Sequence, residues 1–195
     1  MDTLFFSVWR NTVFRRYIRI LVCENLVINV DLQYLNDNHQ YMSLLSDQER
    51  LDNNIYFKLL ISTRDELNEY NDNPHKHLID DIEHSHFNLR LNYNVVPAEE
   101  NYIDCDKICD GVRRLLIYAD ENTRVRGKLP QSITEFNLNG DDDELYYMAS
   151  FRNREIDAMV SGLPNLRKLV LPDNFSFANK VELPSFCKSI TFSMK

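Results

Sequence analysis

Glycine is nearly missing from this chain, with 4 residues in 195. A glycine-rich phosphate cradle needs backbone amides brought against the ligand with no Cβ between them, so these four leave almost no material for one. Positive charge is short as well: 22 Lys+Arg stand against 30 Asp+Glu, a formal net charge of −8. Non-specific nucleic-acid affinity comes from neutralising phosphates with a basic face, and this balance argues against it. The most apolar run, Leu26 to Val30, is far below the roughly 20 residues of a membrane span, so no membrane partner is expected. A secretory signal is not expected either, because Arg10, Arg15, Arg16 and Arg19 break the N-terminal apolar stretch. Without a signal, Cys23, Cys105, Cys109 and Cys187 are expected to be reduced thiols in a cytoplasmic or nuclear protein.

The chain is rich instead in asparagine and leucine, with 21 Asn and 24 Leu. Asparagine is the other residue that enters the left-handed region cheaply and bonds its own backbone in a turn, so it is expected to make many turns here. Asn54, Asn137, Asn165 and Asn174 are placed inside or beside the strand turns on this reading. Hydrophobic residues make up 44% of the chain, enough for the core of one domain or two small ones.

The only basic stretch is the N-terminal one, Met1 to Asn25. At 100° per residue Phe14, Tyr17, Ile18 and Leu21 share one helical face and Arg15, Arg16 and Arg19 the opposite one. Asn11 or Thr12 is suited to cap a second helix, which predicts a helical pair over Leu4 to Arg10 and Thr12 to Cys23. The apolar face is expected to pack on the rest of the domain or on a partner helix, with attachment to a membrane surface the lesser alternative. Further on, Leu26 to Val30, Ile55 to Ile61 and Phe87 to Tyr93 read as strands. Ser62 or Thr63 with Asp65 or Glu66 makes a capping box, and Pro74 predicts a helix running through Leu78, Ile79 and Ile82.

The last third carries an internal repeat. Val112-Arg-Arg-Leu115-Leu-Ile117, Ile133-Thr-Glu-Phe136-Asn-Leu138 and Leu166-Arg-Lys-Leu169-Val-Leu171 share the pattern apolar-x-x-apolar-x-apolar, with a shorter interval between the first two starts than between the last two. A period of about 20 to 25 residues with this motif is what leucine-rich-repeat solenoids show. The longer interval equals one repeat plus an insertion, which begins with Asp141, Asp142, Asp143 and Glu144 and is predicted helical from Leu145 to Val160. Leu-Pro precedes the strand at Leu129-Pro130, Leu163-Pro164 and Leu183-Pro184, where a fixed φ and a missing donor suit strand entry.

These residues resemble the FNIP repeat, a leucine-rich-repeat variant of about 22 residues whose pattern runs Leu-Pro-x-Ser-Ile-Thr-x-Leu-x-Leu-Gly. Leu129, Pro130, Ser132, Ile133, Thr134, Phe136 and Leu138 match it, and Gly140 falls one residue late. Phe175-Ser176 stands where Phe-Asn is expected, and Ser193 where an apolar residue is wanted. The segment Leu4-Phe-Phe-Ser-Val-Trp9-Arg10-Asn11, followed by Phe14, Tyr17 and Ile18, is also similar to the start of many FNIP-repeat proteins, where it is regarded as F-box-like. The resemblance implies that N-terminal helices dock on a Skp-type subunit of a cullin ubiquitin ligase, through Leu4, Phe5, Val8, Trp9, Phe14 and Ile18, while the repeats present a client.

Other clusters have plainer readings. His75, His77, His84 and His86 lie near Cys105 and Cys109, residue types that zinc prefers, but the spacing fits no ligand set, with His84 and His86 on what reads as a helix end. No loop of alternating acids with a central glycine surrounds Asp141 to Glu144, so these acids read as the solvated start of a helix. No nucleophile elbow, Cys-His signature or metalloprotease helix is present. The expectation is therefore no catalytic residue, no metal and no cofactor.

The sequence thus predicts an α/β chain with a leucine-rich-repeat-like solenoid of FNIP type behind a helical N-terminal segment. Residues 1–42 would be helical and F-box-like, 43–110 a divergent α/β region of degenerate repeats, and 111–195 repeats with an insertion at 140–162. With Leu115/Ile117, Phe136/Leu138 and Leu169/Leu171 inward, the period of two sends Arg114, Leu116, Tyr118, Glu135, Asn137, Lys168 and Val170 to a partner-binding face. The expected function is a non-catalytic protein–protein interaction module, in specific form a substrate adaptor of a cullin-type ligase. The alternatives are a repeat-only scaffold or regulatory binding protein and a metal-dependent enzyme.

Overall fold

A computed structural model describes residues 10–84, 102–119, 124–140, 159–172 and 187–193. Side-chain caps start its helices, at Asn11 and Thr63 where the sequence predicts them and at Asp31 and Ser46 where it does not. Asn11 accepts from the amides of Val13 and Phe14 at 2.9 and 3.3 Å and opens α1, Thr12–Cys23. Asp31 accepts from Tyr34 N at 2.6 Å ahead of α2, Leu32–Met42. Full capping boxes, Ser46 with Glu49 and Thr63 with Glu66, open α3, Asp47–Asp52, and α4, Arg64–Asp72. Each cap satisfies amides the helix cannot, for about 1 kcal/mol.

The strands are β1 (Val27–Val30), β2 (Tyr56–Ile61), β3 (Asp81–His84), β4 (Tyr102–Asp104), β5 (Arg114–Ala119), β6 (Arg124–Arg126), β7 (Glu135–Gly140), β8 (Lys168–Pro172) and β9 (Ser189–Ser193). Seven of them make one open parallel sheet in chain order, β1-β2-β3-β5-β7-β8-β9, and β4 pairs with β6 separately. The register passes from Val30 through Leu59, Ile82, Leu115, Phe136 and Leu169 to Ile190, and from Ile82 onward long and short advances alternate. The repeat read from the sequence sits in this register, with Leu115 opposite Phe136 and Phe136 opposite Leu169. Strand entry also repeats: two successive amides converge on one carbonyl of the preceding segment. Arg113 and Arg114 donate to Asp80 O, Thr134 and Glu135 to Arg113 O, Arg167 and Lys168 to Thr134 O, and Lys188 and Ser189 to Arg167 O.

Because side chains alternate across a strand, one row, Val30, Leu59, Ile82, Leu115, Phe136 and Leu169, points into the core and is buried along its length. The turn residues Val112, Ile133 and Leu166 are fully buried below it, and Leu129 and Leu163 of the Leu-Pro pairs are buried with them. Each such side chain contributes about 1.5–3 kcal/mol on leaving water.

Three expectations change. Pro74 does not open a helix through Ile82; a 3₁₀ turn at Lys76–Leu78 leads into strand β3. Asp80 N donates to Phe57 O at 3.1 Å, and the segment gains ladder partners on both β2 and β5, more backbone pairing than a lone helix turn would supply. His84 accordingly ends a strand, not a helix. Asn137 lies within β7 and not in a turn, whereas Asn54 and Asn25 are the non-glycine residues with positive φ among those described, at 52° and 60°. They hold each other, Asn54 Nδ2 donating to Asn25 Oδ1 at 3.1 Å, and Asn165 donates to Gln131 O. β1 falls where Leu26 to Val30 read as a strand, and strands from both sides of residues 42 and 110 belong to the one sheet. The expected strand at Phe87 to Tyr93, most of the helix Leu145 to Val160, and Asn174 lie outside the described residues.

Candidate functional site

The outer face of the sheet brings the seven residues named from the repeat together. Lys58, Asp81, Arg114, Glu135 and Lys168 stand side by side on β2, β3, β5, β7 and β8, one row of alternating sign. Arg114 reaches Asp81 at 3.4 Å and Glu135 at 3.7 Å, Lys168 reaches Glu135 at 3.7 Å, and Lys58 pairs with Glu83. The more exposed pairs of this row contribute little individually, and together the charges of the face cancel. The next row is mixed: Leu60, Glu83, Leu116, Asn137, Val170 and Thr191. Leu60 is exposed, and Leu116, Asn137 and Val170 are half-buried, with Tyr118 one step further along β5. A groove of about 80 Å³ lies over these rows. At its floor Asp81 is almost fully buried, and burial raises its pKa against the pull of Arg114 and Lys58. Beyond the Arg114 ion pair, Asp81 Oδ2 has no hydrogen-bond partner, and neither has Asn137 Oδ1.

A wider groove of about 1010 Å³ opens near the strand entries, between Asn71, Lys76, Asp106, Cys109, Lys128 and Ser132. Two of its charged groups are used within the loops: Lys76 Nζ donates to Asn71 O, and Asp106 accepts from Lys128 N. Its size exceeds that of the sheet groove, but it gathers no group of one chemistry.

The second surface is α1, which meets the rest of the chain through a mixed face of two arginines and two apolar residues and has no fully buried side chain. Arg16 Nε donates to Glu49 at 2.5 Å and Arg19 to Leu44 O at 3.0 Å, while Ile20 and Cys23 touch the core. These four fall on one face by helical spacing. The Arg16 hydrogen bond holds the Glu49 carboxyl at about 2, well below its usual range. The opposite face carries Phe14, Tyr17, Ile18 and Leu21, with Phe14 52%, Tyr17 58% and Leu21 52% exposed. Val13, Val22 and, past the helix, Leu26 extend the apolar patch. Leu4, Phe5, Val8 and Trp9 lie outside the described residues, so of the six N-terminal docking residues Phe14 and Ile18 are placed, both exposed.

No family model, no curated protein and no solved structure matches this chain. The assignment of the two surfaces therefore rests on their geometry.

One cluster escaped the sequence reading. Asp80 lies between two buried arginines, accepting from Arg50 Nε at 2.9 Å and pairing with Arg113 at 3.0 Å, and it also accepts from Phe57 N at 3.1 Å. Arg50 further donates to Leu45 O and Asp47, and Arg113 to Ile55 O. Arg113 and Arg114 lie over the Tyr56 ring at 4.5 and 4.8 Å. The triad ties α3, β2 and the entries of β3 and β5 into one body. A detectable signal existed: Asp80-Asp81-Ile82 and Arg113-Arg114-Leu115 are matched charged pairs ahead of equivalent core residues.

The histidines and cysteines do not converge. His39 and His75 stack with ring centroids 3.7 Å apart, and His84 lies in β3. Cys105 is buried, which pushes its thiol up to about 12, and burial raises Cys109 as well. Among the described residues no three His, Cys, Asp or Glu side chains are grouped to hold a metal ion, and no helix is long and apolar enough to cross a membrane. His86 and Asp141 to Glu144 lie outside the described residues.

Proposed function

We propose that this chain is a non-catalytic protein-recognition module whose sheet is a leucine-rich-repeat-like solenoid of FNIP type. The solenoid reading is supported by parallel strands stacked in chain order, by the alternation of long and short register advances from β3 to β9, and by the same two-amide entry at β5, β7, β8 and β9. The observation that carries recognition is the orientation of α1. A helix serving only its own domain turns its apolar stripe to the core; α1 anchors by Arg16 and Arg19 and leaves Phe14, Tyr17, Ile18 and Leu21 in solvent. A contiguous exposed apolar patch of this kind marks a docking surface.

In its specific form the reading is an adaptor. Phe14 and Ile18, with Leu4, Phe5, Val8 and Trp9, dock on a Skp-type ligase subunit, and the outer face at Arg114, Leu116, Tyr118, Glu135, Asn137, Lys168 and Val170 selects a client. Self-cancelled charges leave Leu116, Tyr118 and Val170 as its anchors, with the ladder setting partner orientation. The repeat-only scaffold, in which the N-terminal helices merely cap the solenoid, is disfavoured by the exposure of Phe14. The test is co-purification of the folded chain with a Skp-type subunit, with and without Phe14→Asp and Ile18→Asp. Association lost in the double variant supports the adaptor; a folded wild-type chain that never associates removes it.

A further inference from the structure

β9 closes the order of the seven-stranded sheet, and among the described residues no strand pairs with its outer edge. Ile190 continues the inner row of Leu59, Ile82, Leu115, Phe136 and Leu169. Those five are at most 2% exposed, whereas Ile190 is 45% exposed. Among the described residues the apolar row is therefore uncovered at this end. Soluble proteins blunt such an edge with charge, proline or a bulge; Ser189–Ser193 contains neither charge nor proline.

The direction of the backbone groups defines what can join. Ser189 N donates to Arg167 O, toward β8. Backbone groups alternate sides along a strand, so those of Thr191 and Ser193 also face β8 and those of Ile190 and Phe192 face the open edge. Ser-Ile-Thr-Phe-Ser also reads alike in both directions by residue class: hydroxyl, apolar, hydroxyl, apolar, hydroxyl.

We propose that β9 pairs antiparallel with β9 of a second copy of this chain, about a two-fold axis at Thr191. Ile190 of each copy then stands opposite Phe192 of the other as a hydrogen-bonded pair, which uses the outward-facing donors and acceptors of both strands. Thr191 meets its own counterpart at the centre as the closer, non-hydrogen-bonded pair, a favourable cross-strand combination. The paired strand of the second copy then covers the exposed Ile190 of the first, and the reverse. No charge lies in the paired strands, and the antiparallel order sends the two Lys188 side chains to opposite ends, where a parallel order would set them side by side. A second copy also satisfies closed two-fold symmetry and ends the growth of the sheet. The contact is short, below the ~1,200 Å² of a stable interface, so association depends on concentration. This inference is independent of the partner-binding reading; its consequence is a pair of recognition faces on one continuous sheet.

The experiment is analytical ultracentrifugation of the full chain over about 1 to 500 µM, the range in which a small interface titrates. The expected mass rises from one chain to two, and Ile190→Lys, at an exposed position, raises the dissociation constant at least ~10-fold with unchanged far-UV circular dichroism. Independently, Thr191→Cys should form an intermolecular disulfide under mild oxidation, because opposed non-hydrogen-bonded residues lie about 4.5 Å apart at Cα. Lys188→Cys and the wild-type chain should not. A monomer over the whole range, a dimer indifferent to Ile190→Lys, or equal cross-linking of both cysteine variants overturns the proposal. Should Ile190→Lys fail to fold, the cysteine pair decides alone.

Discussion

Replacing Asp80 with alanine should strongly destabilise this fold. Its carboxylate, 4% exposed, accepts from Arg50 Nε, Arg113 and Phe57 N, all within 3.1 Å. Removing it strands two guanidinium groups in the core and orphans a buried amide. Breaking a buried ion pair costs about 3–5 kcal/mol and an orphaned amide about 1–3 kcal/mol. Arg50 keeps Leu45 O and Asp47, and Arg113 keeps Ile55 O, which offsets part of the loss. The expected destabilisation is about 4 kcal/mol, a large part of the ~5–15 kcal/mol available to a domain. Urea denaturation followed by far-UV circular dichroism should show the midpoint falling by roughly 2 M, given a slope of about 1–3 kcal/mol per M. Replacing all three charges together, Arg50→Met, Asp80→Leu and Arg113→Met, should cost far less, because no ion is left unpaired. A loss under ~1.5 kcal/mol for Asp80→Ala, or a triple variant as damaged as the single one, would refute the reasoning.

Two further outcomes follow from local geometry. Asn54 holds φ at 52°, so Asn54→Ala should cost about 1 kcal/mol in a thermal melt and Asn54→Gly much less; equal losses would show that the Asn25 contact, not the backbone, sets the requirement. Glu49 titrates at about 2 instead of 4.5 because of its Arg16 hydrogen bond, so its contribution is complete above pH 4.5 and disappears as pH falls toward 2. The stability difference between wild type and Glu49→Gln, measured by melts at each pH, should shrink across that window, and a difference constant with pH would contradict the pairing.

How much of this was legible beforehand depended on periodicity. The strands β5, β7 and β8 and their outward residues could be read because apolar-x-x-apolar-x-apolar fixes both register and face, and a one-residue slip would expose Leu115, Phe136 and Leu169. β3 could not, because it is short and Leu78, Ile79 and Ile82 mimic helical spacing when only apolar positions are considered. The Arg50–Asp80–Arg113 triad was hidden because its members are far apart in the chain and charged residues read as solvent-facing until a partner is known. Amphipathicity of α1 was plain, but its direction was not: period alone defines two faces, and only the Glu49 and Leu44 contacts decide which one turns inward. The asparagine count held real content at Asn25 and Asn54 and none at Asn137, which shows that composition indicates turn material without placing it.

The central claim is that two separate surfaces recognise two separate proteins, and affinity capture with quantitative mass spectrometry tests it most directly. Three folded proteins are compared: wild type, the α1-face variant Phe14→Asp with Ile18→Asp, and the sheet-face variant Leu116→Glu with Tyr118→Glu and Val170→Glu. The account predicts that the first variant loses a Skp-type subunit while keeping the client, and that the second loses the client while keeping the subunit. Retention of every partner by both folded variants, or joint loss of all partners from either one, would contradict it.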